Sequence, residues 1–153
     1  MTAAEYSTEV RSVLDAHSAA AQAKLDKLLE LLPDTARAIH LMIFIDQDGE
    51  GFLSIRISLE GPDLHVINRA IDDCAELFDT VMGEDGLVPP LPLMDPFEED
   101  FSVHDELADS ATDWLVEVTR GHQLLSLGVP VSIFADEEHG KKAPHHLTQN
   151  QRA

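Results

Sequence analysis

The chain has 153 residues, 44% of them apolar, which is enough for one domain with its own core and too apolar for a disordered acidic segment. It carries 29 acidic residues against 10 basic ones, a net charge of −19, and such a surface argues against nucleic acid and anionic membranes as partners. A single cysteine, Cys74, excludes an intrachain disulfide, and no apolar run approaches the length needed to cross a bilayer.

The first predicted element is one long amphipathic helix. Thr2 and Glu5 stand at capping-box spacing. Tyr6, Val10, Val13, Leu14, His17, Ala21, Leu25, Leu28 and Leu32 then recur at helical steps until Pro33. A hairpin follows, with Ala38–Ile45 and Phe52–Leu59 as strands and Asp46–Gly51 (DQDGEG) as the turn. The first strand is apolar on both sides and belongs near the sheet centre.

Gly61-Pro62-Asp63 is expected to start a second helix, with Asp63 as its N-cap. Its inward stripe is Leu64, Ile67, Ile71, Cys74, Leu77, Phe78 and Val81, and Gly83 closes it. From Glu84 to Phe101 there is no period, and four prolines between Leu87 and Phe97 predict an extended loop. Ser102 with Asp105 caps a third helix, striped by Leu107, Ala111, Trp114, Leu115, Val118 and Leu125, with Gly121 interrupting and Gly128 ending it. Val129–Ala135 reads as a strand that Pro130 assigns to a sheet edge. Residues 136–153 read as a flexible polar tail.

The expected fold is therefore α+β: a small antiparallel or mixed sheet, made of the hairpin plus a C-terminal edge strand, packed by three helices. The order is α-β-β-α-loop-α-β within one domain of residues 1–135.

Charge is concentrated in the middle of the chain. Between Glu60 and Glu117 there are 17 acids and the single base Arg69. In the second predicted helix these acids form an ordinary wet face. From Glu84 to Glu106 they alternate with proline and large apolar residues, an arrangement that solubility does not require. Phe97 and Phe101, set around Glu98, Glu99 and Asp100 with Asp105 following, combine apolar anchors with a charged rim, the composition of a docking surface.

Other chemistry is thinly represented. Asp46, Asp48 and Glu50 match positions 1, 3 and 5 of a calcium loop and Gly51 matches position 6, but position 12 falls on Ile57 instead of the bidentate Glu. The turn is expected to be conformational, with these three acids as weak metal candidates. The eight histidines lack HxxxH or HExxH spacing. Cys74 falls on an apolar stripe, as an inert packed thiol would. No nucleophile has a base near it in sequence, and no glycine-rich phosphate loop opens a helix. No catalytic residue, cofactor or enzymatic activity is expected.

In size, charge and lack of catalytic residues, the chain resembles the bacterial immunity proteins as a type, small acidic domains that block a basic toxin. The resemblance implies a cytoplasmic binding protein for a basic protein partner, steered by the acidic face and anchored around Phe97. An alternative use of the surface is self-association, as a homodimer through the N-terminal helix. A third reading is a calcium-dependent protein using the Asp46–Gly51 turn. The N-terminal residues contain no apolar signal-like region, in keeping with a cytoplasmic location.

Overall fold

Thr2 starts helix α1 (Ala3–Asp15) by the expected reciprocal cap. Its hydroxyl accepts the Glu5 N–H at 3.1 Å, and its own N–H donates to the Glu5 carboxylate at 2.7 Å. The computed structural model describes residues 1–95 and 97–148. The single long helix expected before Pro33 is two helices, because the chain leaves helical geometry at His17 (φ −103°, ψ 5°) and resumes as α2 (Ser18–Leu31). The His17 ring stabilises the break by donating from Nδ1 to the Val13 carbonyl at 3.0 Å. The apolar stripe continues across it: Tyr6, Val10 and Leu14 on α1 and Ala21, Leu25 and Leu28 on α2 are all fully buried within this chain.

The main sheet has five strands in the order β3-β2-β1-β6-β7. They are β1 (Ala38–Ile45), β2 (Leu53–Glu60), β3 (Glu76–Asp79), β6 (Val131–Ala135) and β7 (His145–His146). The central β1 pairs antiparallel with β2, from Ala38↔Glu60 to Ile45↔Leu53, and parallel with β6. Strands β4 (Val81–Gly83) and β5 (Gly86–Val88) form a separate small hairpin. With α3 (Leu64–Arg69) and α4 (Val103–Thr119), the fold is α+β with a mixed sheet.

Alternation along β1 and β2 turns Ile39, Leu41, Ile43, Leu53, Ile55 and Leu59 into the core, where α4 packs on β1 and β6, α2 on β3, and α1 against α4. Trp114 on α4 is buried there, donating its indole N–H to Ser18 Oγ at 2.9 Å. The opposite face carries His40, Met42, Phe44, Arg56 and Phe134, with Asn68 of α3 at its margin.

The second predicted helix is corrected by the structure. Only Leu64–Arg69 is helical, and Asp63, at its N-cap position, makes no side-chain cap. Beyond it the chain turns and becomes β3 and β4. The burial expected of Ile67, Ile71, Cys74, Leu77 and Phe78 is present, but Leu64 and Val81 are exposed. What decides the local structure is the free edge of β2. Asn68 accepts the Leu59 N–H at 2.8 Å and donates to the Leu59 carbonyl at 3.0 Å. Ile57 donates to the Ala75 carbonyl, and Thr80 exchanges two hydrogen bonds with Leu53. An edge of unpaired amides is costly to leave; Asn68 of α3 reaches only its Leu59 end, and the rest is paired by β3 with Ala75 and Thr80.

Two further expectations change. Strand β6 does not lie at the edge, since β7 pairs with it through Ser132↔His146 and Ile133↔His145. Residues 136–148, expected in a polar tail, return along α4 and supply that strand; residues 149–153 lie outside the described ones. Among the described residues no helix is long and apolar enough to cross a membrane.

Candidate functional site

The β1–β2 turn, the proline-rich loop and the start of α4 meet at one end of the molecule. Asp46 organises the turn: its carboxylate accepts the N–H groups of Glu50 (3.1 Å), Gly51 (3.3 Å) and Phe52 (3.1 Å). Gly51 has φ +116° and sits so close to the loop that a Cβ there would lie 2.6 Å from the Pro92 carbonyl oxygen. The loop is fastened to this turn by the Met94 N–H, which donates to the Glu50 carbonyl at 2.7 Å. Leu87, Leu91 and Met94 are buried beneath it. From the other side, His104 in the first turn of α4 donates from Nε2 to the Asp46 carbonyl at 2.8 Å.

Past Met94 a tight turn projects the chain outward. The Asp95 carboxylate accepts the Phe97 N–H at 3.0 Å, and the Asp95 carbonyl accepts the Glu98 N–H at 3.0 Å. Phe97 is left 97% exposed. Phe101 returns to the domain and stacks on Tyr6, with ring centroids 5.6 Å apart. The two phenylalanines singled out in the sequence thus have different roles, Phe101 pinning the loop and Phe97 standing free.

Beside Phe97 runs an open groove of about 680 Å³, lined by Asp48, Glu50, Leu93, Met94 and Asp95 among others. Glu98, Glu99 and Asp100 continue the rim in sequence. Among the described residues none of these six carboxylates, at 48, 50, 95, 98, 99 and 100, is in an ion pair. Asp105 is engaged differently: its N–H donates to the capping Ser102 hydroxyl at 3.2 Å, and its carboxylate accepts the Gly140 N–H.

Asp46, Asp48 and Glu50 bring carboxylate oxygens within 4.8 Å of one another. Both Asp46 oxygens already accept backbone amides, and Ile57 is buried in β2 where a calcium loop would place its bidentate ligand. The three carboxylates therefore sit on a hydrogen-bonded turn that lacks the bidentate ligand of a calcium loop.

Cys74 is fully buried, its thiol facing the Ile71 carbonyl, and burial pushes its pKa up. Sequence spacing concealed one polar pair. Ser132 Oγ lies 2.6 Å from His146 Nδ1 in a hollow of about 600 Å³ on the open sheet face, a neighbour relation created only by the β6–β7 pairing.

Residues 1–151 match the model of a family of unknown function, DUF6389, so the chain belongs to that family. No curated protein and no solved structure matches it.

Proposed function

We propose that this member of the DUF6389 family is a non-enzymatic binding protein that docks a basic protein partner at the end formed by Asp46–Gly51 and residues 91–101. The observation that carries the reading is Phe97, almost fully exposed beside a groove whose carboxylates have no counter-charge among the described residues. An exposed phenylalanine forgoes about 1.5–3 kcal/mol of burial, which a partner's pocket recovers. The unpaired carboxylates raise the encounter rate with a cationic surface and disfavour nucleic acid or anionic lipid.

The type of protein this arrangement fits is a cytoplasmic immunity protein, which neutralises a basic toxin by covering it. Phe97 would fill a pocket, while Glu98, Glu99, Asp100 and Asp48 pair with lysines or arginines around that pocket. Asp105 supports the rim from α4.

The test is comparative capture from the native host with tagged wild type, Phe97→Ser and the triple variant E98K/E99K/D100K. One basic protein held by wild type and lost by both variants supports the reading. Equal retention by all three would defeat it.

A further inference from the structure

Between β6 and β7 the chain runs beside β1 at residues 136–138 and then lies on α4 at residues 139–142, without an apolar anchor, since no side chain from 136 to 144 is buried. What holds it is a row of carboxylates. Gly140 N–H donates to Asp105 Oδ1 at 2.7 Å, and the N–H groups of Lys141 and Lys142 donate to Asp109 Oδ1 at 2.8 and 3.0 Å. The Lys142 ammonium reaches Asp113 Oδ2 at 2.5 Å. Asp105, Asp109 and Asp113 are four residues apart and so share one face of α4. Gly-Lys-Lys therefore takes up three successive acids in order.

The seat is also shaped to the segment. His139 stacks on His104, ring centroids 4.4 Å apart. Gly140, at φ +82°, lies flush on the helix, where a Cβ would come 2.6 Å from the Asp109 carboxylate and 2.9 Å from Ala108 Cβ. Glu137 and Glu138 just before it have φ 53° and 58°, a left-handed conformation that residues with side chains rarely adopt. The segment thus follows an unfavourable stretch of backbone and is held mainly by contacts to carboxylates, most of them exposed, which salt and competing cations weaken. A segment with no buried apolar group belongs to the part of a fold that opens first.

We propose that residues 139–142 form a displaceable strap, an internal basic segment that gives up the α4 stripe to an extended lysine-bearing segment of a docking protein. This rests on the docking reading above and extends its surface: His104 ties the first turn of α4 to Asp46, so the stripe is continuous with the acidic end. Released, the strap adds Asp109 and Asp113 to the carboxylates around Phe97.

The experiment measures hydrogen exchange at amides 140–142 and affinity for hexalysine on the full chain. Saturating hexalysine speeds exchange at Lys141 and Lys142 in wild type. Gly140→Ala, which cannot lie on the helix, frees the strap and raises hexalysine affinity roughly tenfold, because the competitor no longer works against the closed state. Adding Asp109→Asn and Asp113→Asn removes that gain. Asp109→Asn alone loosens the strap without new bulk, so it reports strap exchange even if Gly140→Ala disturbs folding.

Exchange at 140–142 unchanged under saturating hexalysine would overturn the proposal. So would a freed strap with no gain in affinity, or no hexalysine binding to either chain. Neither readout passes through Phe97. A Phe97→Ser chain that keeps the exchange response and captures the partner as well as wild type would defeat the docking reading and leave the strap standing, so the two failures are distinguishable.

Discussion

The rings of Tyr6 and Phe101 lie 5.6 Å apart, tilted by 35°, where the proline-rich loop rejoins the helices. This contact gives the loop's two phenylalanines opposite fates. Phe101→Ala removes a packed ring and is expected to cost about 2 kcal/mol. Phe97→Ala removes an exposed ring and is expected to change stability by less than ~0.5 kcal/mol. Denaturant midpoints of the two variants check this, and a large loss for Phe97→Ala would mean that its ring is packed in solution.

Beneath Phe101, the Tyr6 hydroxyl is buried with no hydrogen-bond partner among the described residues. A buried hydroxyl without a partner costs on the order of 1–3 kcal/mol. Tyr6→Phe is therefore expected to be neutral or stabilising by about 1 kcal/mol, read from the urea midpoint. A clearly destabilised Tyr6→Phe would show that the hydroxyl is bonded.

Asp46 accepts three backbone amides, and losing them is expected to matter whether or not calcium is present. Asp46→Ala should lower stability by about 2 kcal/mol through the amides left unpaired. Thermal unfolding of wild type should be unchanged by millimolar calcium, as expected for a turn without its bidentate ligand. A calcium-dependent rise in the wild-type melting temperature, absent from Asp46→Ala, would restore the metal reading.

The resolved pKa shifts of the buried Tyr6 and Cys74 and of Lys142 share one direction. Burial, then the charges of Asp46 and Glu106, raises the Tyr6 phenol, and burial, then Asp73, raises the Cys74 thiol. The hydrogen bond to Asp113 raises Lys142. In each case the folded chain holds its proton more tightly than the unfolded one. The associated stability is complete below the unfolded pKa values, 9.0 for the thiol, 10.0 for the phenol and 10.5 for the ammonium, and is lost as pH rises past them. Urea midpoints should therefore decline steadily above about pH 9, and Cys74→Ala should lack the earliest part of the decline.

Several elements were legible because their cause is local. The Thr2–Glu5 and Ser102–Asp105 caps, the Asp46–Gly51 turn and the alternation in β2 each depend on residues within a few positions. Residues 64–83 were not, because Ile67, Ile71, Cys74 and Phe78 are buried at spacings a helix also produces. The deciding force was the distant edge of β2, met by Asn68, Ala75 and Thr80. The strap was hidden for a similar reason: Gly140, Lys141 and Lys142 are polar, and their partners Asp105 and Asp109 lie about thirty residues earlier. At the acidic end, composition pointed to Phe97 and Phe101 together, and only the Tyr6 contact separated them.

In the proposed docking, the carboxylates around Phe97 steer a basic partner onto this end of the molecule. The most direct test of this steering is the association rate of the captured partner, measured against ionic strength for wild type and for E98K/E99K/D100K. Wild type is expected to associate fast and to slow steeply with salt, and the variant to associate roughly tenfold or more slowly with a flat salt profile. Equal rates with the same salt dependence would contradict it.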